Sequence, residues 1–359
     1  MNAELASETT APPLRGSRSG RFLATLEPYS SVVLVSHVNP DPDALASMFG
    51  LQALLNRRRP EKHVTLTVDG IIARAENQAM VDLLEIPLVP VDRVPIVPDT
   101  AVVMVDTQPH TGRRASEAAK PLIVLDHHET GGNLDGVRFR DIRPNVGATS
   151  TIVTGYLLEQ DVAFSPRLAT ALLYGIESEI SGFPREAGPS DDGALTWLFP
   201  RANKDLLAQI KNPRLPQSYF ATFQQALGNA FLYGDVIFSW CGVVPQPDII
   251  AEVADFFIRF DEVSWAISVG LYDNIMKVSV RSAHIGGHSG EVLRAAVNGF
   301  GTAGGHDKRA GGAIILPDTR SETIETQLTV LRHRLLAELH SDEKHGRRLL
   351  TQCPIIPAP

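Results

Sequence analysis

Four short apolar runs in the first part of the chain constrain its fold more than any other feature. They lie at 31–36 (SVVLVS), 64–68 (VTLTV), 101–106 (AVVMVD) and 122–126 (LIVLD). Runs of this length and composition are typical of parallel strands that are buried on both faces. Helical spacing follows the first run, at Ala44, Met48, Leu51 and Leu55, and a second helical segment spans 75–84. The alternation of strands and helices predicts an α/β fold with a doubly wound parallel sheet.

A second, smaller α/β domain is predicted in the later part of the chain. The runs at 236–244, 249–260, 265–272 and 276–281 predict a strand, a helix and two further strands. Two prolines in 212–216 (NPRLP) indicate a linker between the domains. We therefore predict a loose tail at 1–20, a first domain at 21–190, a helical linker at 191–230, a second domain at 231–320, and a C-terminal helix and tail at 321–359.

The composition excludes several classes of protein. The chain has 359 residues, of which 43% are hydrophobic and 21% charged, as in ordinary globular proteins. Its apolar runs are far shorter than the ~20 residues that span a bilayer, and its N-terminus lacks the apolar segment of a secretion signal. Cys241 and Cys353 are too few and too far apart for a disulfide framework or a cysteine zinc site. We expect a cytoplasmic protein, and its net charge of −8 argues against long duplex DNA as a partner.

The segment 36–43 (SHVNPDPD) follows the first predicted strand and contains three candidate metal ligands. They are His37, Asp41 and Asp43. The two prolines of the segment fix φ and remove backbone donors, so we expect a rigid turn that can hold ligands in place. Taken alone, this spacing also fits an ordinary turn with surface acids, and Asn39 fits either a contact near the metals or a turn-forming role.

Polar side chains also end the third and fourth predicted strands. Asp106 ends one of them, and Asp126 ends the other and is followed by His127 and His128. The carboxyl ends of the strands in an open α/β sheet converge on one crevice. We therefore expect these side chains to lie near the ligands that follow the first strand.

Together these residues predict a metal site with nitrogen and oxygen ligands and no sulfur. The candidate ligands are His37, Asp41, Asp43, Asp106, His127 and Glu179, with Glu177 as a competitor for the last position. Such a set suits Mn²⁺ or a similar divalent ion. Because most of these ligands are carboxylates, their charge needs compensation, which two divalent ions would supply. We predict a two-metal hydrolytic site that activates water and holds a phosphoryl group.

Several ordered motifs resemble those of the DHH phosphoesterases, a RecJ-like superfamily. HVNPDPDA at 37–44, VVMVD at 102–106, DHH at 126–128 and SEISGF at 178–183 resemble the four motifs of its catalytic domain. VSVRS at 278–282 and GTAGGHDKRAGGAI at 301–314 resemble the DHH-associated domain. The resemblance implies a metal-binding catalytic domain, followed by a substrate-binding domain that closes over the metal cleft. The sequence looks most similar to the group that includes nanoRNases and pAp phosphatases.

The resemblance also implies roles for individual residues of the first domain. It implies two Mn²⁺ ions that share Asp106, one bound also by His37 and Asp41, the other also by Asp43, His127 and Glu179. It implies that His128 contacts the substrate phosphate and that Asp126 orients His127 from behind. The expected catalytic residues are His128, Asp106 and Asp126.

In the second domain, the resemblance implies a phosphate or nucleotide site. Its expected residues are Arg281, Gly304, Gly305 and His306, the glycines admitting backbone amides close to the ligand. Arg281 taken alone also fits a solvated surface charge on a strand. The sequence departs from the family pattern in the glycine loop, which reads GTAGGH, and at Glu179 and Ile180, where aspartate and threonine are usual.

These features predict a Mn²⁺-dependent phosphoesterase acting on short nucleotides. Oligoribonucleotides, pAp, and linear or cyclic dinucleotides such as cyclic di-AMP all fit the predicted site. Two alternatives are a nucleotide-binding module with weak or lost catalysis and an enzyme that hydrolyses polyphosphate or pyrophosphate. No membrane partner is expected, and an exposed strand edge in either domain could pair two chains into a homodimer.

Overall fold

The computed structural model describes residues 16–109, 120–131, 133–180, 187–305, 307–341 and 345–350. The chain divides into two compact units, residues 1–213 and 214–359, each built on its own β-sheet. The division falls inside the stretch 191–230, which the sequence assigns to a linker. No helix in the described part of the chain combines the length and the apolar character that a membrane crossing requires.

The first unit contains a six-stranded parallel sheet, which confirms the predicted α/β class. Its strands are β1 (Ser31–Val35), β2 (His63–Val68), β3 (Leu88–Pro90), β4 (Thr100–Val105), β5 (Ile123–Asp126) and β6 (Phe139–Ile142). They lie in the order β3-β2-β1-β4-β5-β6, and every neighbouring pair is parallel. The order reverses between β1 and β4, which is where open α/β sheets form their binding crevice. The short outer strands β3 and β6 were not predicted.

Alternate residues of the central strands face two different apolar cores. Val32 and Leu34 of β1 belong to the larger core, whereas Val33 and Val35 belong to a smaller one on the opposite face. Both cores continue on β4 and β5. This two-sided burial explains why the runs are continuously apolar instead of alternating.

Seven helices of the described residues pack in the first unit. They are α1 (Arg18–Thr25), α2 (Pro42–Arg58), α3 (Ala75–Leu84), α4 (Thr149–Glu159), α5 (Pro166–Ile180), α6 (Pro189–Leu198) and α7 (Lys204–Lys211). Small residues let α2, α4 and α5 approach closely: a Cβ atom at Gly50 would lie 2.6 Å from Val153 Cγ1, and one at Gly175 would lie 2.6 Å from Ser150 Oγ. This close packing fixes the ends of the three helices that surround the crevice.

Two predicted boundaries of the first domain differ from the structure. Helix α1 begins inside the predicted loose tail 1–20, because Ser17 caps it and the Ser19 hydroxyl donates to Glu159 Oε2 at 2.6 Å. At the other end, α6 and α7 pack against α5 and α3, so they belong to this unit and not to a separate linker at 191–230. The linker prediction failed because the apolar faces of these two short helices are covered by the first unit.

The second unit contains a seven-stranded mixed sheet. Its strands are β7 (Ala230–Tyr233), β8 (Val236–Val243), β9 (Trp265–Tyr272), β10 (Ile275–Ser282), β11 (Thr302–Gly305), β12 (Arg309–Ile315) and β13 (Arg347–Arg348). They lie in the order β11-β12-β10-β9-β8-β7-β13, and only β8 and β9 are parallel. Its helices are α8 (Gln217–Gly228), α9 (Ile249–Phe257), α10 (Ser289–Val297) and α11 (Ser321–Glu338). The glycine-rich segment 301–314 contributes β11 and most of β12. Strand β13 lies within the predicted C-terminal tail.

Candidate active site

The predicted ligands of the first unit gather at the carboxyl ends of β1, β4 and β5. The turn with His37 follows β1, Asp106 follows β4 directly, and Asp126 is the last residue of β5. Asp106 has a left-handed backbone with φ of +59°, and its N–H donates to Leu125 O at 2.9 Å. Aspartate and asparagine tolerate this conformation better than most residues. The turn that begins at Asp106 therefore lies at the end of β4, beside β1, where the sheet has its switch point. The sequence predicts that these strand ends converge on one crevice.

His37 presents a buried nitrogen to two carboxylates. Its Nδ1 lies 3.0 Å from the Val38 carbonyl, to which it can only donate, so Nε2 is the free acceptor. That Nε2 lies 3.5 Å from Asp41 Oδ2 and 3.6 Å from Asp106 Oδ2, and it is buried without a hydrogen bond. Burial acts to lower the pKa of His37, but the carboxylates of Asp106 and Asp41 outweigh it and raise that pKa above its ordinary value. A cation between these atoms would satisfy both the imidazole and the carboxylates.

Asp43 is fully buried and is held by the first turn of α4. Its Oδ2 accepts from the backbone N–H of Thr149 and its Oδ1 from that of Ser150, each at 2.7 Å. Burial raises the pKa of Asp43 well above its usual range, and the negative charges of the nearby carboxylates add to this shift (Asp106, Glu179 and Asp41). Backbone amides at a helix N-terminus favour the charged form of Asp43. The neighbouring carboxylates disfavour that charged form, so the two effects oppose each other.

Asp106 is shared by two groups of potential ligands. His37, Asp41 and Asp106 form one group, and Asp106, His127 and His128 form the other; within each, the ligand atoms lie within 4.8 Å of one another. Asp106 Oδ1 accepts from the Thr149 hydroxyl at 2.9 Å and lies 3.4 Å from His127 Nε2. This arrangement places one carboxylate between two groups of nitrogen and oxygen atoms, as a bridging ligand requires.

Asp126 positions His128. Its Oδ1 accepts from the ring Nδ1 of His128 at 2.8 Å, and its Oδ2 accepts from the amide of Gln108 at 2.7 Å. Burial acts to raise the pKa of Asp126, but the hydrogen bonds from His128 and Gln108 hold it below its usual range. The His127 ring instead has its Nδ1 3.3 Å from the Val146 carbonyl. Asp126 Oδ1 also accepts from the backbone N–H of His127 at 2.8 Å, so Asp126 contacts the backbone of His127 and the ring of His128, and its predicted role in orienting His127 stays a prediction.

Glu179 lies near this site but outside both close groups of ligands. It follows Gly175 by one helical turn on α5, and Gly175 is the residue whose Cα approaches Ser150. Its charge acts on Asp43, while the competing Glu177 forms an ion pair with Lys211 of α7. The charge effect on Asp43 and the ion pair of Glu177 favour Glu179 over Glu177 as a candidate ligand, and its role stays a prediction.

The predicted residues of the second unit have a different environment. Arg281 on β10 is buried, and its guanidinium donates to Asp255 Oδ1 at 2.5 Å and to Ser279 Oγ at 2.8 Å. Gly304 lies on β11, where a Cβ atom would meet nothing within 4 Å, whereas one at Gly305 would lie 2.4 Å from the Arg309 carbonyl. His306 lies outside the described residues.

Three residues contact the predicted site residues but were not predicted from the sequence: Thr149, Ser150 and Gln108. Thr149 and Ser150 open a helix after the small residues of 146–148 (VGA), which is a pattern of helix N-termini that bind anions. Gln108 lacks any such signal, because its contact with Asp126 depends on a turn that follows β4. Asn39 has a left-handed backbone with φ of +57°, which is typical of a turn-forming residue, and its side chain accepts from the backbone N–H of Ile71 in the loop after β2 at 2.8 Å.

The donor set and its geometry fit divalent cations. The atoms that converge are carboxylate oxygens and imidazole nitrogens, which suit Mn²⁺ and similar ions. His37 Nε2 is a buried acceptor without a hydrogen bond, which is the state expected of a ligand atom. The two groups at Asp106 could hold one ion each.

Comparisons with known proteins agree with this geometry. Residues 31–176 match the N-terminal domain of the DHH family. An uncharacterized protein of Methanocaldococcus jannaschii is 31% identical over 293 residues, which cover 81% of this chain and 59% of that protein. The probable bifunctional oligoribonuclease and PAP phosphatase NrnA of Streptococcus mutans is 24% identical over 164 residues, covering 45% of this chain and 49% of that protein. The chain thus spans about half of the length of these relatives.

A solved structure shares the fold of both units. It is that of an exopolyphosphatase-related protein from Bacteroides fragilis, with a TM-score of 0.68 and 19% identity, covering 93% of this chain and 99% of that chain. At this identity the likeness concerns the fold alone. The family match includes β1, β4, β5 and the residues His37, Asp106 and His127. On these grounds residues 31–176 of the chain are similar to the N-terminal domain of the DHH family, and the likeness to the relatives extends beyond this segment.

Proposed function

We propose that the chain is a Mn²⁺-dependent phosphoesterase that hydrolyses short nucleotide substrates. The observation that supports this most is the position of Asp106, shared by two groups of potential ligands at the switch point of a DHH domain. When bound, a pair of divalent ions supplies activation of water and neutralises charge on a phosphoryl group. In this proposal His37 and Asp41 serve one ion, His127 serves the other, and Asp106 serves both.

The proposed ligand set also includes Asp43 and Glu179, which lie outside the two close groups of ligand atoms. The Asp43 carboxylate lies 3.9 Å from His127 Nε2 and keeps its two backbone hydrogen bonds to α4. Glu179 contributes negative charge to the same place. Burial raises the pKa of Asp43 most, and repulsion from the neighbouring carboxylates adds to the rise. A cation would relieve this repulsion, so the cluster of carboxylates supports a cation site.

His128 is the proposed substrate contact. A carboxylate can only accept, so the hydrogen bond to Asp126 fixes a proton on Nδ1 of His128, and the proposal assigns the contact with a phosphate or a leaving-group oxygen to this ring. The lowered pKa of Asp126 keeps this carboxyl charged, so it accepts the hydrogen bond from His128. His128 would then donate a proton or a hydrogen bond to the substrate, while Asp126 keeps its ring in place.

The substrate class rests on the relatives. One is named as a probable oligoribonuclease and PAP phosphatase, and another as the cyclic-di-AMP phosphodiesterase GdpP of Geobacillus thermodenitrificans, 27% identical over half of this chain and 29% of that protein. All these substrates are short nucleotide phosphates. We infer a substrate of this kind and not long duplex DNA, which the net charge of −8 disfavours.

A product assay with the full chain tests the proposal. The purified chain is incubated with Mn²⁺ and, separately, pAp, pApA, cyclic di-AMP, a five-nucleotide RNA or pyrophosphate, each with and without a chelator. Release of mononucleotide or phosphate that the chelator abolishes and added Mn²⁺ restores is the expected result. Turnover that persists in the chelator would refute the metal-dependent proposal, and turnover of pyrophosphate alone would refute its nucleotide specificity.

A nucleotide-binding module with weak catalysis is the second candidate. The observation that favours it is Glu179, which lies outside both close groups of ligands and precedes Ile180 where the family pattern has threonine. This candidate predicts nucleotide binding in Mn²⁺ with no product across the panel. Isothermal titration calorimetry of the same nucleotides separates it from the phosphoesterase.

A further inference from the structure

A buried carboxylate outside the predicted ligand set joins the start of α6 to the start of α4. Asp191 is fully buried on α6, where its Oδ2 accepts from the backbone N–H of Gly188 at 2.8 Å. The same oxygen accepts from the backbone N–H of Gly147 at 2.9 Å, and Oδ1 accepts from the Thr151 hydroxyl at 2.5 Å. One side chain thus satisfies three donors, two of which belong to α4 and to the residues that lead into it.

The part of α4 that Asp191 holds is the part that carries the contacts to the ligands. Gly147 and Thr151 flank Thr149 and Ser150 along the chain. The backbone N–H groups of Thr149 and Ser150 fix Asp43, and the Thr149 hydroxyl fixes Asp106. A displacement of this first turn would therefore move both carboxylates together.

The approach to α4 is packed tightly on two sides. A Cβ atom at Gly147 would lie 2.7 Å from Ile180 Cγ2 and 3.1 Å from Asp191 Oδ2. The backbone at this point has space for glycine only, with Ile180 of α5 on one side and the carboxylate on the other. The position of the turn is consequently set by Asp191 and by the end of α5.

A capping role for α6 alone does not account for this geometry. An aspartate at the third position of a helix needs only its bond to the residue before the helix, here Gly188, to complete a cap. The bonds to Gly147 and Thr151 cross to another helix and satisfy donors there. Burial of a carboxylate costs free energy unless the carboxylate is fully hydrogen-bonded. The hydrogen bonds from Gly147 and Thr151 therefore offset part of the cost of burying Asp191.

We infer that Asp191 is a positioning residue of the metal site, acting through the first turn of α4 on Asp43 and Asp106. This inference rests on the proposed function, since it concerns the geometry of the same site. Partners behind metal ligands commonly change metal affinity by roughly 10- to 100-fold when they are removed. An effect of that size is expected here without any contact between Asp191 and a cation.

The test compares Asp191→Asn with Asp192→Asn in the full chain. Asparagine keeps the shape of the side chain, but its NH₂ group cannot accept, so at least one of the three donors loses its partner. Asp192 is the exposed neighbour on the same helix and loses the same charge. Titration with Mn²⁺ alone, followed by calorimetry, should show binding weakened roughly 10- to 100-fold for Asp191→Asn and unchanged for Asp192→Asn.

Thermal unfolding separates positioning from a merely structural role. A structural role would lower the Tm of Asp191→Asn by the same amount with and without Mn²⁺ and leave the Mn²⁺ affinity at the wild-type value, and that result overturns the inference. A positioning role predicts that the Tm increase produced by Mn²⁺ shrinks in this variant, because the bound state loses affinity.

Thr151 provides a second variant in case Asp191→Asn does not fold. Thr151→Val removes one of the three hydrogen bonds and should weaken Mn²⁺ binding less than Asp191→Asn, while Thr151→Ser keeps the hydroxyl and should bind as the wild type does. Equal Mn²⁺ affinity in Thr151→Val and the wild type would contradict the inference. A wild-type chain that binds no Mn²⁺ would refute the proposed function itself, and the inference with it.

Discussion

The two units differ in how their candidate functional groups are already paired. In the first unit, carboxylates lie near one another, and the buried His37 Nε2 faces two of them without a hydrogen bond. In the second unit, the buried Arg281 is paired with Asp255 and also donates to Ser279. The first arrangement brings several carboxylates together around shared imidazoles, whereas the charge of Arg281 in the second is paired with a carboxylate of the same unit.

This difference shows that a cluster of acidic residues and a single arginine have different value as predictors of a ligand site. A group of like charges that the fold forces together must be compensated, either by protonation or by an external cation, so it favours a cation site. A single arginine on a strand carries no such requirement, because one carboxylate on a neighbouring helix can compensate it. Arg281 could bind phosphate only after its pair with Asp255 opens, so its role in substrate binding stays a prediction.

The largest expected effect comes from removing the shared ligand. Asp106→Asn should lower kcat/KM by about 10³-fold or more, because cation-based stabilisation is worth several kcal/mol and each ~1.4 kcal/mol is tenfold. Asparagine is chosen over alanine because it tolerates the left-handed backbone at φ +59°. Steady-state kinetics on the best substrate of the panel gives the measurement.

Two further measurements show whether the loss at Asp106 reflects metal binding. The exposed Asp92→Asn should keep wild-type kinetics, which accounts for the change in net charge. Mn²⁺ at a hundred times its Kd should stabilise the wild type by ~2.7 kcal/mol and Asp106→Asn by much less. Retained turnover in Asp106→Asn would contradict the view that the first unit requires an external cation.

The second largest effect tests the balance of charge in the second unit. Arg281→Gln removes the positive charge of the ion pair with Asp255, and we expect the free energy of unfolding to fall by about 2–3 kcal/mol, less than for a fully buried pair because Asp255 is one-third exposed. Hydrogen exchange read by mass spectrometry locates the loss in β10 and α9. Lys277→Gln on the same strand is the matched control. A higher KM with unchanged stability would instead show that Arg281 is available to substrate.

The central strands could be predicted from the sequence because their burial on both faces leaves a simple pattern. The runs at 31–36, 64–68, 101–106 and 122–126 match β1, β2, β4 and β5 to within a residue or two. The outer strands β3 and β6 escaped, since β3 is very short and β6 (FRDI) alternates buried and exposed residues. Helices α6 and α7 were predicted as a linker because their packing against α5 and α3 is tertiary and leaves no local signal.

In the candidate site, too, some features could be predicted from the sequence and others could not. His37, Asp41, Asp106 and His127 could be predicted because strand ends of a parallel sheet converge and the residue types are those of metal ligands. The contacts that hold them could not be predicted. The hydrogen bond from the Thr149 hydroxyl to Asp106 joins residues 43 positions apart, and its formation depends on the packing of α4.

The third prediction uses pH to compare the stability of the two units. Asp141 of β6 is buried, which acts to raise its pKa, but hydrogen bonds from Arg143 and Tyr156 outweigh this and hold the pKa below its usual range. The unfolded carboxyl then binds protons more readily, so this stabilisation is present above the unfolded pKa of about 4 and is lost as the pH falls through the folded pKa. In the described part of the second unit, the carboxyls with lowered pKa (Asp307 and Asp318) are partly exposed to solvent, unlike the buried Asp141.

Acid should therefore loosen the first unit before the second. Hydrogen exchange at a series of pH values below about 4 should show protection in β6 and α4 falling ahead of protection in β9 and β10. Asp141→Asn should make the stability of the first unit less dependent on pH in this range. Parallel loss of protection in both units would show that the difference in buried charge does not control their acid stability.

The smallest expected effect asks whether the second unit also has a place prepared for a ligand. Gly304→Ala adds a methyl group into open space on β11, so stability should change by no more than ~0.5 kcal/mol. Gly305→Ala is the counterpart, because its methyl group would meet the Arg309 carbonyl and the backbone must shift. If a nucleotide approaches the backbone here, Gly304→Ala should raise KM severalfold with kcat unchanged. An unchanged KM would remove Gly304 from the substrate site and leave the first unit with the functional groups that the geometry supports.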